Sequence, residues 1–408
     1  MKRLASTVVL MALSLAAHTA LVAQSTSFAV TLVPPTHGTV RLTPALPADG
    51  RYPAGTVVTV STTPDAGYAL DSAWYSVSGR FGQMYHEGMT ANFKVTIDRD
   101  KRIGASFIEA ADVENLVVRH DIVYATPGVK PLKYDVYSPK GARNLPIVVI
   151  IHGGGWTTND EDIMRGLARE LTKGGQLVVA SMDYRWAGTA DGDATGNTMA
   201  NLIEDVFGGI AHIMEHATEY GGDPTRIGVT GDSAGGHLSA AAALMPGMIG
   251  TRGFGTEPGV FEFKPTYLPK NTTAAQVRDQ MLKAIKSAAP SYGVFSAAQL
   301  NPYSAEHTSD ELWKNAIAPL SHIPPATERA VPQFLTRGTR DNLITDAAVK
   351  DFTDALAKAG QRVEYIQIGG AGHAFFDWKP DANTKATFAK YGVYYAAAMK
   401  HFFLSTLY

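Results

Sequence analysis

Ser233 lies in a sequence pattern that suits a reactive hydroxyl group. It is the centre of Gly231-Asp232-Ser233-Ala234-Gly235, between an apolar run at 227–230 and an alanine-rich segment. The pattern predicts a strand, a sharp turn and a helix, and the flanking glycines let the two backbones approach closely. Such a turn exposes the hydroxyl group and directs free N–H groups of the helix N-terminus towards it. We therefore predict that Ser233 is a nucleophile and that the N–H of Ala234 helps to bind an oxyanion.

A serine nucleophile needs a general base and an acid that orients this base. Of the 12 histidines, His373 is the one that follows a predicted strand on a glycine-rich loop near the C-terminus. Asp341 lies just after another predicted strand, and the order serine, acid, histidine favours Asp341 and His373 as the partners. Asp346 is the alternative acid, although its place at the start of a helix suits an N-cap. His322, in a predicted insertion, and His401, on the last helix, are weaker candidates for the base.

A second glycine-rich loop supplies candidates for binding a developing oxyanion. The apolar segment 147–151 runs directly into three consecutive glycines, whose N–H groups no side chain obstructs. We predict that Gly153 and Gly154 donate together with Ala234, and Gly155 could take the place of Gly153. A phosphate-binding loop is disfavoured because neither G-x-x-x-x-G-K-[ST] nor G-x-G-x-x-G occurs here.

The residues beside these glycines have simpler expected roles. His152 is expected to orient the loop through hydrogen bonds rather than to act as a base. Trp156, after the glycines, and Asp232, before the serine, are the predicted substrate contacts.

These candidates need a scaffold of alternating strands and helices to bring them together. After an opening antiparallel pair at 116–125 and 131–137, the periodicity predicts strands at 146–151, 177–182, 226–230, 331–336 and 363–368. It predicts helices at 162–173, 198–219, 234–244, 274–288, 346–359 and 383–403. This alternation indicates an α/β fold with a mostly parallel sheet between helices, whose functional groups gather beyond the carboxyl ends of the strands. The Gly-, Pro- and aromatic-rich stretch at about 246–330 is predicted to be a cap insertion over these ends.

The N-terminal part of the chain reads differently. Residues 1–23 combine a basic start, a short apolar core and a small-residue exit, which is typical of a secretory signal peptide. Residues 27–108 contain short β-rich segments broken by Gly, Pro and Asp, which predict a small all-β module. A stalk or packing role is the simpler interpretation of this module.

Composition excludes several classes of protein and site. The 408 residues carry a formal net charge of −2 and no basic block, so neither nucleic acid nor an anionic membrane is an expected partner. A hydrophobic fraction of 45% fits a well-packed core. With 0 cysteines, the chain has no disulfide, no Cys-based metal site and no lipid-modified cysteine.

Six motifs in order carry a family resemblance: His152 to Trp156, Asp183-Tyr184-Arg185, Gly222 to Ile227, Gly231 to Leu238, Gly338 to Asp341 and Gly372 to Phe375. Over about residues 116–405 the chain resembles the α/β-hydrolase superfamily, and within it the hormone-sensitive-lipase-like esterases and their feruloyl and acetyl-xylan esterase relatives. The layout of 27–108 resembles one internalin B-repeat. The resemblance implies an α/β-hydrolase fold over 116–408, a Ser233-Asp341-His373 triad and no metal or cofactor.

The resulting expectation is a secreted or periplasmic serine carboxylesterase for short acyl or feruloyl esters. These substrates are small molecules, esters linked to a polysaccharide, or polyesters. Contact with a cell surface or polysaccharide is expected of the N-terminal module, and stable membrane insertion is not expected. A serine peptidase of the same fold is the first alternative, weakened because no repeat array precedes the catalytic part. A non-catalytic extracellular binding protein is the second.

Overall fold

The N-terminal module consists of eight strands. A computed structural model describes residues 26–79, 82–250, 262–300 and 311–408. The strands of the module are β1 (Ser27–Leu32), β2 (Gly38–Thr43), β3 (Arg51–Pro53), β4 (Val57–Pro64), β5 (Tyr68–Gly79), β6 (Gly82–Gly88), β7 (Asn92–Thr96) and β8 (Lys101–Glu109). They form a five-stranded sheet, β3-β1-β8-β5-β6, and a three-stranded sheet, β2-β4-β7. Val58, Val60 and Ile103 are among the buried residues that pack between them, so the predicted all-β character is confirmed.

The part of the chain that follows the module is built on an eight-stranded sheet. Its strands are β9 (Leu116–Ala125), β10 (Leu132–Pro139), β11 (Leu145–Ile151), β12 (Val178–Met182), β13 (Gly222–Asp232), β14 (Ile285–Ser291), β15 (Gln333–Gly338) and β16 (Val363–Ile368). The order across the sheet is β16-β15-β14-β13-β11-β12-β10-β9. The β9–β10 and β10–β12 pairs are antiparallel and the remaining pairs are parallel. The opening pair and the mostly parallel sheet are as predicted.

Helices cover both faces of this sheet. They are α1 (Arg165–Thr172), α2 (Met199–His216), α3 (Ala234–Leu244), α4 (Ala274–Ala284), α5 (Ala297–Leu300), α6 (Glu311–Ala316), α7 (Asp346–Lys358), α8 (Ala382–Thr387) and α9 (Val393–Leu407). Ile147, Val149 and Ile151 of β11 pack with α2, α3, α4 and α7. Val148 and Ile150 of the same strand pack with α1 and α9. Because successive side chains of a strand point to opposite faces, a strand buried on both sides is apolar throughout.

The hydrophobic periodicity of the sequence does not indicate one of the strands, and two predictions need correction for this reason. The segment predicted as a helix at 274–288 is helical only to Ala284, and Ile285–Ser291 then forms β14 in the middle of the sheet. A short buried strand rich in alanine has no alternation that distinguishes it from a helix. The stretch 246–330 is therefore not one continuous cap, since β14 lies inside it and belongs to the sheet.

Parts of the sequence predictions fall on residues outside the described ranges. These parts are the predicted signal peptide at 1–23 and the portions 251–261 and 301–310 of the predicted cap. Within the described ranges, no helix combines the length and the hydropathy needed to span a bilayer.

Candidate active site

Ser233 occupies a sharp turn between β13 and α3. Its backbone has φ 52° and ψ −114°, an unusual conformation for a residue with a side chain. The Ser233 N–H donates to the carbonyl of Ser291 at the end of β14, at 3.0 Å. A Cβ at Gly235 would lie 1.9 Å from the Ile151 carbonyl oxygen, so only glycine permits this close approach. The predicted strand, turn and helix are thus present, and the turn depends on glycine.

The structure brings the three predicted catalytic side chains together. The His373 Nε2 atom lies 2.9 Å from the Ser233 hydroxyl oxygen, and His373 Nδ1 lies 2.8 Å from Asp341 Oδ2. The other carboxylate oxygen of Asp341 accepts the N–H groups of Leu343 and Ile344, both at 2.9 Å. Since a carboxylate accepts hydrogen bonds, Nδ1 carries the proton and Nε2 is left to accept the serine proton.

The protonation of Asp341 follows from its surroundings. Burial alone raises the pKa of the Asp341 carboxyl group. The hydrogen bonds from His373 and from the backbone N–H of Ile344 outweigh burial and hold this pKa below its ordinary value. Asp341 therefore remains an anion under ordinary conditions and can accept the Nδ1 proton of His373.

Asp346, the alternative acid, lies elsewhere. It is the first residue of α7, where Thr345 is the N-cap, and it accepts hydrogen bonds from Tyr365 and Gln367. The expected N-cap role therefore belongs to its neighbour, because the side chain of Thr345 accepts the N–H of Ala348.

The predicted role of Gly153 in binding an oxyanion requires correction. The Gly153 N–H donates to Asp232 Oδ1 at 2.6 Å, so it is already bonded and does not face a substrate. Gly154 and Gly155 have φ values of 121° and 60°, which turn the backbone beyond Gly153. The N–H of Ala234 lies in the first turn of α3, where no intrahelical acceptor exists. The donor set that remains is Gly154, Gly155 and Ala234.

Neither predicted substrate contact is available to a substrate. Asp232 is 2% exposed and is the anchor of Gly153, and burial followed by the charge of Asp377 raises its pKa. Trp156 is 3% exposed, and its indole N–H donates to His237 Nδ1 at 3.2 Å. Both residues hold the two glycine-rich turns in place, since each one joins the loop after β11 to the β13–α3 segment.

His152 supports the glycine loop, as predicted. It is fully buried, its Nδ1 lies 2.7 Å from the Gly153 carbonyl oxygen, and its Nε2 lies 3.2 Å from Asp183 Oδ1. Asp183 also forms an ion pair with Lys130, with 2.9 Å between Oδ2 and the Lys130 Nζ atom. The imidazole stacks on the ring of Tyr184, whose hydroxyl group donates to the His152 carbonyl at 2.9 Å. Asp183 and Tyr184 therefore support the loop, whereas Arg185 of the same motif bonds to Asp205 of α2.

Tyr292 is a site residue that sequence reasoning missed. It follows β14 with φ 33°, is fully buried, and its ring centre lies 4.7 Å from that of His373. It therefore forms one wall for the imidazole. The sequence gives no signal for this position, because the residues of β14 just before it show no strand alternation.

Comparison with known proteins agrees with this architecture. The BD-FAE family model matches residues 134–356, and the model of the divergent InlB B-repeat domain matches residues 28–111. Carboxylesterase NlhH of Mycobacterium tuberculosis (strain CDC 1551 / Oshkosh) is 32% identical over 249 residues, which cover 58% of this chain and 69% of NlhH.

Two further proteins are similar to this chain. The probable carboxylic ester hydrolase LipM of Mycobacterium tuberculosis (strain ATCC 25618 / H37Rv) is 29% identical over 246 residues, which cover 56% of this chain and 49% of LipM. The apo form of Thermogutta terrifontis esterase 2 is 24% identical, and the match covers 68% of this chain and 92% of the esterase chain, with a TM-score of 0.49. Since the BD-FAE match spans more than half of the sequence, the chain belongs to this family of ester-hydrolysing enzymes and carries a divergent InlB B-repeat domain before its catalytic domain.

Proposed function

We propose that the protein is a serine carboxylesterase that works through an acyl-enzyme on Ser233. The observation that carries this proposal is the continuous hydrogen-bonded line from Ser233 through His373 to Asp341, with distances of 2.9 and 2.8 Å. A nucleophile, a base and an orienting acid in contact are what covalent catalysis of ester hydrolysis needs.

Each side chain has one task in the proposed reaction. His373 Nε2 takes the proton of Ser233 as its oxygen attacks the ester carbonyl carbon, and it then gives this proton to the departing alcohol. Asp341 keeps the imidazole in the tautomer that can accept and stabilises its positive charge. Water, deprotonated by the same imidazole, then attacks the acyl carbon. The bond to the Ser233 oxygen breaks, His373 returns the proton to this oxygen, and the acid is released.

The negative charge of the tetrahedral intermediate falls on the former carbonyl oxygen. The backbone N–H groups of Gly154, Gly155 and Ala234 are the proposed donors, at the turn after β11 and the first turn of α3. The bond from Gly153 to Asp232 supports this assignment, because it fixes the loop immediately before the two donors. Backbone donors held in this way cost no reorganisation when the charge appears.

We propose short acyl or feruloyl esters as substrates, either small or linked to a polysaccharide or polyester. The test is hydrolysis of p-nitrophenyl acetate, butyrate and octanoate and of methyl ferulate by the wild type and by Ser233→Ala. We expect Ser233→Ala to lower kcat by about 10⁴-fold or more, because only binding and oxyanion stabilisation remain. The ranking of the four substrates then measures the acyl pocket.

Ser239→Ala is the matched control for this experiment. Ser239 is a buried serine of the same helix α3, and its hydroxyl group donates to the Gly236 carbonyl at 3.1 Å. This control is expected to hydrolyse the esters at nearly the wild-type rate. Near-normal turnover by Ser233→Ala would contradict the proposed nucleophile.

We also propose that the enzyme acts after export, in the periplasm or outside the cell, because residues 1–23 have the pattern of a cleaved signal peptide. The mature N-terminus should lie near residue 24. Mass spectrometry of protein recovered from the periplasm and medium measures this end. Recovery of the uncleaved chain from the cytoplasm alone would contradict export.

A further inference from the structure

The N-terminal module contacts the catalytic domain through a buried network of charges. Asp71 on β5 and Glu87 on β6 belong to the module, and Arg165 and Arg169 belong to α1. Arg165 donates to Asp71 Oδ1 at 3.0 Å and to Glu87 Oε2 at 2.5 Å. Arg169 donates to Asp71 Oδ1 at 3.0 Å. All four side chains are almost fully buried.

Asp71 is the centre of this network. Its carboxylate has no exposed side-chain area, and it also accepts the hydroxyl group of Ser106 at 3.0 Å. Burial alone raises the pKa of Asp71, but the charges of Arg165, Arg169 and Lys385 outweigh burial and hold the pKa well below its ordinary value. A buried carboxylate is tolerated only when it is paired and hydrogen-bonded in this way, so the position of each partner is strongly constrained.

One partner of Asp71 belongs to the loop that carries the catalytic histidine. The indole N–H of Trp378 donates to Asp71 Oδ2 at 2.9 Å. The backbone N–H of Trp378 donates to the Ile163 carbonyl at 3.0 Å. The Arg169 guanidinium group lies 4.7 Å from the centre of the indole ring, and a Cβ at Gly166 would lie 2.8 Å from this ring. Trp378 is thus fixed between the module and α1.

The segment between His373 and Trp378 has little freedom to adjust. Ala374 has φ 57°, and its carbonyl accepts the N–H of Asp377 at 3.4 Å. Phe375 and Phe376 are fully buried, and both rings pack against Tyr292, with ring centres 5.4 Å away. Tyr292 in turn contacts the His373 ring. A displacement of Trp378 must therefore be transmitted through a packed turn to the imidazole.

From these contacts we infer that Asp71 is a positioning residue for His373 and acts through the indole of Trp378, so that the module helps to hold the catalytic base in place. The inference rests on the proposed function, because it assigns a partner to the same base. It replaces the interpretation of the module as a stalk with a structural role at the active site. The chemistry of proton transfer requires correct placement of the base, and small displacements of a catalytic group lower the rate strongly.

The first test is Trp378→Phe in the full-length chain. Phenylalanine keeps an aromatic ring in the packed turn but removes the N–H that Asp71 accepts, while Asp71 retains both arginines. We expect kcat for p-nitrophenyl acetate to fall about tenfold with KM within about twofold, because substrate binding does not involve this bond. The second-order rate of Ser233 labelling by a fluorophosphonate probe should fall by a similar factor.

Tyr52→Phe is the matched control. It removes a partly buried hydrogen bond within the same module, from the Tyr52 hydroxyl group to the Pro44 carbonyl at 2.7 Å. We expect kcat and the labelling rate to stay at wild-type values, even if Tm falls. A loss of kcat in Tyr52→Phe equal to that in Trp378→Phe would mean that general destabilisation of the module is responsible, and it would overturn the inference.

Asp71→Asn supplies the second measurement and replaces the first if Trp378→Phe does not fold. Asparagine has one acceptor oxygen where Asp71 uses two, so it cannot serve both the arginines and Trp378 and weakens the same link. The double variant should therefore lose no more kcat than the more affected single variant. An unchanged kcat in the single variants, or additive losses in the double variant, would overturn the inference. Either result leaves the proposed function intact if Ser233→Ala is inactive, whereas an active Ser233→Ala would defeat the proposed function itself.

Discussion

The two halves of the candidate active site are held by different means. Ser233 is held by backbone: its N–H bonds to the carbonyl of Ser291, and Gly235 lies against the carbonyl of Ile151 with no room for a side chain. The His373 loop also has backbone bonds, such as the one from the Arg340 N–H to the Ala371 carbonyl at 2.9 Å. It depends in addition on side chains from several elements, including the hydroxyl group of Thr339, which accepts the N–H of Gly370. Trp378 adds the bond to Asp71 in another domain.

This difference separates stability from activity. A change at the serine turn meets main chain that cannot move without disturbing β11 and β13, so it should cost folding free energy. A change at the histidine loop removes one side-chain contact among several and should mainly displace the base. Variants on the two sides of the site test this division.

Among the changes around His373, Asp341→Asn should lower kcat the most. An amide can present its NH₂ group to Nδ1 and favour the tautomer that cannot accept the serine proton, so kcat should fall about 10⁴-fold. Asp346→Asn is the control and should retain nearly wild-type kcat, since Asp346 bonds to Tyr365 and Gln367 on another part of the surface. Steady-state kinetics on p-nitrophenyl acetate measures both, and a reversed ranking would identify Asp346 as the acid.

Gly235→Ala should have the largest effect on stability. Its Cβ would lie 1.9 Å from the Ile151 carbonyl oxygen, so β11 or α3 must shift, at a cost of about 3 kcal/mol or more. Gly247→Ala is the control, because a Cβ there meets nothing within 4 Å. Urea unfolding measures both variants. A Gly235→Ala protein of wild-type stability would contradict the idea that the serine turn mainly supports folding.

The pH dependence of the unfolding free energy should report on His237, a buried residue of the helix that follows Ser233. Burial lowers the pKa of His237 on α3 from 6.5 to about 4, and its Nε2 lies 2.8 Å from the Ile317 carbonyl. The unfolded chain therefore takes up a proton below about pH 6.5 that the folded chain refuses until about pH 4. The stability of the folded state is thus greatest above this range and is lost as the pH falls through it.

From pH 7 to pH 5 this histidine should cost about 2 kcal/mol of unfolding free energy. Urea unfolding of the wild type and His237→Gln at both pH values isolates the contribution from that of the other histidines. An equal loss of stability in both proteins would contradict the neutral, buried state of His237.

Tyr391→Phe should have the smallest effect on kcat. It tests how much one further side-chain bond contributes to holding the His373 loop. Its hydroxyl group donates to the Gly370 carbonyl at 3.1 Å, a partly buried bond between neutral groups before His373. Loss of such a bond is worth about 1 kcal/mol, so kcat should fall about two- to fivefold. Tyr394→Phe, at a side chain that is 67% exposed, is the control and should not change kcat. A loss in Tyr391→Phe as large as that of Asp341→Asn would mean that the loop has almost no other support.

Sequence by itself determined the local chemistry of this protein. The residues around Ser233 predicted a strand, a glycine turn and a helix, and α3 begins and ends at the predicted residues. The strand before His373 also has the predicted bounds, Val363–Ile368. These features depend on steric limits and periodicity within a few residues, which a sequence displays directly.

Tertiary structure alone decided which partner each group has. The sequence predicts Gly153 as an oxyanion donor, but Asp232, 79 positions away, accepts its N–H. β14 is identified by its pairing between β13 and β15 in the sheet, because its own residues show no strand alternation. Asp71 and Trp378 are 307 positions apart. Such contacts depend on the summed geometry of all the elements between them, and no local pattern in a single sequence records it.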